Sequence, residues 1–70
     1  MGWCSGTYIF DSVVDPIIYM DINDGDKKEI IKTLIEALWS QDWDCEYDSD
    51  LIGNSLVVEC LEELGFEFNE

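Results

Sequence analysis

The sequence predicts a small all-α protein: one domain of three helices, with a kinked first helix and an acidic loop between the second and third helices. The first observation is a hydrophobic pattern that occurs in three segments. Apolar residues fall at i, i+1, i+4, i+5 and i+8, which is the spacing of a helical stripe and not of a strand. The second observation is the length of 70 residues, which leaves room for a single domain, residues 1–70.

The three stripes run from Ile9 to Ile18, from Ile30 to Trp39 and from Leu56 to Leu64. Pro16 lies inside the first stripe. We expect it to kink that helix, because proline removes a backbone hydrogen bond and crowds the preceding turn. The β-branched residues of the first segment leave a strand open as the alternative.

Typical capping residues lie near the expected helix ends. The expected N-terminal caps, in chain order, are Ser5 or Thr7, then Asp26 in a capping box with Glu29, then Asn54 or Ser55. Gly65 is expected to end the third helix, because glycine readily adopts the left-handed conformation found there.

The charge of the chain is its most unusual property. Seventeen Asp and Glu residues face three lysines, with no arginine or histidine, for a formal net charge of −14. Such charge opposes compaction, but a hydrophobic fraction of 47% with three Trp, three Tyr and three Phe argues against a disordered tail. Nucleic acid and anionic membranes are excluded as direct partners, because they are polyanions. A basic protein surface, a metal cation or no partner at all remains.

The cysteines bear on the compartment. Cys4, Cys45 and Cys60 form an odd, widely spaced set, unlike the dense frameworks of secreted domains. The first residues lack the regions of a signal peptide, and no apolar run approaches the length of a membrane span. We therefore expect a cytoplasmic protein with free thiols and with Cys60 in the core. Isolated cysteines without histidine predict no zinc site.

The segment from residue 42 to residue 50 carries a carboxylate at every second position. In an extended backbone, alternate side chains share one face at about 6.6 Å spacing. The carboxylates are those of Asp42, Asp44, Glu46, Asp48 and Asp50, and the aromatic residues between them are Trp43 and Tyr47. This spacing is compatible with mimicry of nucleic-acid phosphates. The alternative is a solvated loop whose two aromatic residues pack on the core.

Two other functional classes are weaker. Asp48, Asp50, Gly53 and Glu59 occupy positions 1, 3, 6 and 12 of an EF-hand-like loop, but Ile52 at position 5 offers no side-chain oxygen. We expect no tight calcium site and no cofactor. Catalysis is not expected either, because the chain has no histidine, no arginine and no glycine-rich phosphate loop.

The stretch Met-Gly-Trp-Cys-Ser-Gly at residues 1–6, followed by Asp-Trp-Asp-Cys at residues 42–45, resembles small uncharacterised proteins of tailed bacteriophages. The resemblance covers these two stretches and is diffuse elsewhere. It implies a phage or prophage source and a bacterial cytoplasm, but no activity and no functional residue. We expect Trp3 to pack over the core near Cys45; the alternative is an exposed anchor for a partner.

These observations predict a small acidic phage protein that binds and inhibits or modulates a host protein by mimicking nucleic-acid charge. The expected partner has a basic surface and handles nucleic acid, as a defence nuclease does. The expected partner-binding residues are Asp42, Trp43, Asp44, Glu46, Tyr47, Asp48, Asp50, Glu59, Glu62 and Glu63. One alternative is a homo-oligomeric structural or virion-accessory protein, such as a homodimer, and another is a metal-responsive binding module.

Overall fold

The computed structural model describes residues 4–67 and contains three α-helices. These are α1 (Gly6–Ile18), α2 (Asp24–Trp39) and α3 (Ser55–Glu63), with a short 3₁₀ turn at Glu46–Asp48. No strand occurs in residues 4–67, so the all-α prediction is confirmed and the strand alternative for the first segment is wrong. None of these helices is long and apolar enough to cross a membrane.

Each helix contributes one buried stripe to a common core. The buried apolar residues are Phe10, Val14 and Ile17 from α1, Ile31, Ile35 and Leu38 from α2, and Val57, Cys60 and Leu61 from α3. On α1 and α2 their spacing of i, i+4 and i+7 places them on one helical face. Cys60 is a free, buried thiol, as expected, and burial raises the pKa of that thiol.

Asparagine side chains cap two of the helices. Asn23 caps α2, and its side-chain oxygen accepts a hydrogen bond of 2.8 Å from the Asp26 backbone N–H. The predicted capping box of Asp26 and Glu29 is therefore wrong, because α2 begins earlier, at Asp24. Asn54 caps α3 by accepting from backbone N–H groups of the first turn, so that prediction is confirmed.

A left-handed residue ends α3 and another follows α2. After α3 this residue is Gly65, with φ 94°, as the sequence predicts. The backbone N–H groups of Gly65 and Phe66 donate to the carbonyl oxygens of Glu62 and Leu61 at 3.0 and 2.9 Å. This hydrogen-bond pair is the Schellman motif.

Asp42 takes the equivalent position after α2, with φ 66°. The backbone N–H groups of Asp42 and Trp43 donate to the carbonyl oxygens of Trp39 and Leu38, both at 3.1 Å. Aspartate tolerates this conformation better than most residues with a side chain. Asp42, which was expected to contact a partner, therefore has a structural role: it reverses the chain at the start of the acidic loop.

The end of α1 lies against α2. Pro16 is inside the last turn of α1, and the helix ends two residues later at Ile18. The Lys27 side chain of α2 donates a hydrogen bond of 2.7 Å to the Ile18 carbonyl oxygen, which satisfies one of the carbonyl groups left open at a helix end. The kink at Pro16 stays a prediction.

Candidate functional site

The acidic loop, residues 42–50, is not extended. The sequence predicted that an extended loop would place its carboxylates on one face, and this does not occur. The 3₁₀ turn at Glu46–Asp48 interrupts the loop, so carboxylates do not all point to one side. The exposed carboxylates of the loop belong to Asp42, Asp44, Asp48 and Asp50. The fifth, that of Glu46, is buried.

Glu46 is only 7% exposed, and its carboxylate accepts a hydrogen bond of 2.7 Å from the Trp39 indole N–H. A buried carboxylate is costly unless it is hydrogen-bonded. The bond to Trp39 offsets that cost and ties the loop to the end of α2. Glu46 therefore holds the loop in place and is removed from the set of partner-contacting residues.

Trp43 is also a core residue, only 3% exposed, and its ring stacks on Phe10 with 5.1 Å between ring centroids. Its indole N–H donates a hydrogen bond of 2.9 Å to the Thr7 hydroxyl oxygen. Thr7 in turn donates to the Cys45 carbonyl oxygen at 3.0 Å. Trp43 therefore cannot serve as an exposed anchor. Thr7 connects α1 to the loop instead of capping the helix.

Tyr47 keeps the surface position expected of a contact residue. It is 50% exposed, and its ring lies 5.7 Å from that of Phe66, which follows α3. The two aromatic residues of the loop thus have different roles. Trp43 is buried and Tyr47 is half-exposed at the surface.

A second set of bonds joins the loop to α1 through Asp11, which sequence reasoning missed. The Ser49 hydroxyl donates to one Asp11 carboxylate oxygen at 2.5 Å, and the Asp50 backbone N–H donates to the other at 3.2 Å. Ser49 is buried and also accepts a 3.0 Å hydrogen bond from the Leu51 backbone N–H. Asp11 is one of many acidic residues in the sequence. Only its position beside the loop in the folded protein distinguishes it from the others.

A disulfide bond between Cys4 and Cys45 joins the start of the described chain to the acidic loop, with 5.2 Å between the two Cα atoms. The prediction that all thiols are free is therefore wrong for these two cysteines. Their separation along the chain is 41 residues, and no sequence spacing indicates the pairing. The expected packing of Trp3 near Cys45 lies outside the described residues.

The acidic residues of α3 belong to a different environment. Lys28 donates hydrogen bonds to Glu63 and, at 3.4 Å, to Glu59, while Lys32 donates to Glu63 at 2.9 Å. Hydrogen bonds from Lys28 and then Lys32 lower the pKa of Glu63, and the bond to Glu63 raises the pKa of Lys28. Lysines therefore offset the charge of Glu59 and Glu63, and Glu62 remains exposed.

A concave acidic surface lies between α1 and the loop. This acidic groove has a volume of about 420 Å³ and is lined by Tyr8, Asp11, Ser12, Asp15, Asp50 and Leu51. Tyr8 is 78% exposed. Carboxylates beside an aromatic ring suit a lysine ammonium or an arginine guanidinium, through charge-assisted hydrogen bonds and cation–π contact.

An apolar surface lies between α1 and α2. This apolar patch consists of Val13, Ile30, Leu34 and Ala37, with Glu29 and Thr33 at its margin. Val13 is 40% exposed and Ile30 43% exposed, although both belong to the predicted stripes. The apolar stripes on α1 and α2 are wider than the core that three short helices enclose. The stripe residues at the edge, such as Val13 and Ile30, therefore remain partly exposed at the surface.

Comparison with known proteins adds no homologous site. No family model matches this chain, and neither a curated protein nor a solved structure matches it. The candidate function therefore rests on the geometry described above.

Proposed function

We propose that this chain binds a basic surface on another protein and thereby excludes nucleic acid from that surface. The residues that carry the interaction form the acidic face, defined as the exposed residues Asp15, Asp44, Asp48 and Asp50. Tyr8 and Tyr47 supply exposed aromatic rings beside it. The chain acts as an inhibitor or modulator in this proposal and carries out no reaction itself.

The observation that carries the proposal is that the acidic loop is held in one conformation. The hydrogen bonds of Thr7 and Asp11 to the loop and the bond between Trp39 and Glu46 fix it against α1 and α2. In the oxidised chain the disulfide bond is an additional tie. Charges that are already in position lose little conformational entropy on binding, so a preorganised acidic surface gains affinity over a flexible acidic tail.

The distribution of the lysines supports the same proposal. Lys27 contacts the end of α1, and Lys28 and Lys32 contact α3. Among the described contacts, none of the three lysines reaches the acidic loop. The three lysines therefore do not offset the negative potential of the acidic face, which favours fast association with a positively charged surface.

The resemblance to tailed-phage proteins supplies the biological setting of the proposal. A phage protein in the bacterial cytoplasm would meet host nucleases, restriction enzymes and polymerases, whose nucleic-acid-binding surfaces are basic. The acidic groove offers one defined position for a lysine or arginine of such a partner. The exposed carboxylates of the loop would lie where phosphates otherwise bind.

The proposal is tested by identifying the partner and then neutralising the acidic face. The tagged full chain is used to capture proteins from bacterial lysate at low and at high salt, and the retained proteins are identified by mass spectrometry. Binding of the purified partner is then measured for the Asp15→Asn/Asp50→Asn variant. We expect an affinity loss of about tenfold, since each change removes one charge from the interface.

The matched control is Glu36→Gln/Glu62→Gln, which changes the net charge equally at exposed positions outside the acidic face. This variant should bind almost as well as the unaltered chain, and added nucleic acid should displace the partner from both. Equal affinity losses in the two double variants would show that only net charge matters. A partner affinity that does not change with salt, together with no displacement by nucleic acid, would overturn the proposal.

The apolar patch favours a second candidate, a homo-oligomeric structural protein. Val13, Ile30 and Leu34 are apolar side chains that a second copy of the chain would bury. Analytical ultracentrifugation at increasing salt tests this candidate, because salt screens repulsion between copies that each carry a formal charge of −14. A stable dimer that Ile30→Glu dissociates would favour it, and a monomer at all concentrations would exclude it.

A further inference from the structure

The two cysteines of the disulfide bond and one aspartate of the acidic face lie together at the start of α1. The sulfur atoms of Cys4 and Cys45 and a carboxylate oxygen of Asp48 all lie within 4.8 Å of one another. Cys4 and Asp48 are exposed and Cys45 is half-buried, so the cluster is open to solvent.

Backbone structure explains why these three side chains meet. Cys45 and Asp48 are three residues apart, and the Asp48 backbone N–H donates a hydrogen bond of 3.1 Å to the Cys45 carbonyl oxygen. In such a 3₁₀ turn, the side chains at i and i+3 project from the same side. Cys4 reaches them from the residues just before α1, and the bond from Thr7 to the Cys45 carbonyl oxygen keeps α1 beside the turn.

We propose that the reduced form of this chain binds one zinc-like divalent transition-metal ion through Cys4, Cys45 and Asp48. Thiolate and carboxylate groups are among the ligands that zinc binds in proteins, at about 2.3 Å for sulfur and about 2.0–2.2 Å for oxygen. Three ligand atoms within 4.8 Å of one another can all bind the same ion. The three protein groups leave the fourth tetrahedral position to water.

Formation of this site requires reduction of the disulfide bond. A dithiol reductant breaks the bond between the two sulfurs and is itself oxidised to a disulfide. Two electrons and two protons pass to Cys4 and Cys45, which become thiols. The metal ion then displaces the thiol protons to solvent and binds the two thiolates. The oxidised chain, in contrast, offers no thiolate ligand at this site.

The ligands stay close together after reduction, because other bonds hold the same segments. Thr7 still accepts from Trp43 and donates to Cys45, and Asp11 still binds Ser49. The Asp44 carboxylate lies 3.4 Å from the Cys45 sulfur and adds negative charge beside the site. The acidity of the whole chain also concentrates divalent cations at its surface.

The test is a titration of the full chain with cobalt(II), whose absorption spectrum reports ligand type and geometry. The chain is reduced with a phosphine in the absence of oxygen, and the same preparation left oxidised is the comparison. We expect the reduced chain to bind one cobalt ion, with sulfur-to-cobalt charge transfer and the intense visible bands of a tetrahedral site, both lost on adding zinc. The oxidised chain should show neither feature.

Two pairs of variants locate the site. Cys4→Ser/Cys45→Ser should abolish charge transfer, whereas Cys60→Ala, which alters the buried free cysteine, should leave it intact. Asp48→Asn should weaken cobalt binding by about tenfold or more, whereas Asp21→Asn, which makes the same charge change at an exposed position, should not.

Three results would each overturn the proposal: equal cobalt binding by reduced and oxidised chain, charge transfer that persists in Cys4→Ser/Cys45→Ser, or equal weakening by Asp48→Asn and Asp21→Asn. The titration involves no partner, so its result is independent of the proposed inhibitor function.

Discussion

Reduction of the Cys4–Cys45 disulfide should lower the thermal stability of this protein by a large, calculable amount. The bond closes a loop with a sequence separation of 41 residues. The chain-entropy relation gives a loss of about 13 cal/mol/K in the unfolded state for such a loop, or about 4 kcal/mol at 25 °C. The core of a domain this small supplies only about 3–5 kcal/mol by itself. The reduced chain should therefore remain folded at room temperature, with roughly half the stability of the oxidised chain.

The expected change in melting temperature follows from the same figure. In a domain of this size, 1 kcal/mol corresponds to about 4–8 °C, so reduction should lower the midpoint by about 15–30 °C. Circular dichroism at the helical band measures the midpoint with and without a phosphine reductant. The Cys4→Ser/Cys45→Ser variant is the matched control: it should melt like the reduced chain and should not respond to the reductant.

Zinc provides a second step in the same experiment. An ion that binds only the folded, reduced chain stabilises it by about 2.7 kcal/mol at 100 times its dissociation constant. Zinc should therefore recover much of the lost melting temperature in the reduced chain and none in the double serine variant. Oxidised and reduced chains that melt within about 3 °C of each other would refute the loop-entropy reasoning, since the hydrogen bonds of Thr7 and Asp11 would then hold the loop alone.

Further predictions concern single side chains, and urea unfolding tests each of them. Asp42→Gly should stabilise the protein by about 0.5–1 kcal/mol, because glycine adopts the left-handed backbone without strain, whereas Asp42→Val should destabilise it; the opposite order would contradict the assigned conformation. Thr7→Val should cost about 1–3 kcal/mol, because it leaves the buried Trp43 indole N–H without an acceptor, and a neutral result would mean that water replaces the hydroxyl. Glu63→Gln should destabilise the protein at neutral pH. The lowered pKa of Glu63 means that its contribution is present above the ordinary value of 4.5 and is lost as the pH falls through the lowered pKa. The gap to the unaltered chain should therefore close in acid, and Glu62→Gln should show no comparable gap.

The three helices were predictable because their information is local. A stripe with helical spacing marks each helix, and Asn54 and Gly65 are residue types with strong preferences for helix ends. The end of α2 was not predictable in the same way. Asp42 occupies a position that glycine usually takes, so the sequence gives no sign that the chain turns there.

The acidic loop was predicted less well because its conformation depends on distant residues. Alternation of Asp and aromatic residues predicts an extended ribbon only where the backbone has a neighbouring strand to pair with, and no strand occurs in residues 4–67. Trp43 instead donates a hydrogen bond to Thr7, and Glu46 accepts one from Trp39. Cys45 is bonded to Cys4, 41 residues away along the chain, and a single sequence cannot reveal such a pairing.

The structure separates carboxylates that hold the fold from carboxylates that remain for other functions. Glu46 and Asp11 accept hydrogen bonds that fix the acidic loop, and Asp42 reverses the chain. Asp48 and Asp50 lie exposed on that fixed loop. If acidity served solubility alone, the position of these exposed charges would not matter. The proposed inhibitor function instead depends on the acidic face, which includes Asp48 and Asp50, and metal binding depends on Asp48 and the two sulfurs. Neutralising Asp50 should therefore impair partner binding alone, whereas neutralising Asp48 should impair both partner binding and metal binding. A protein in which both changes are silent would owe its acidity to solubility.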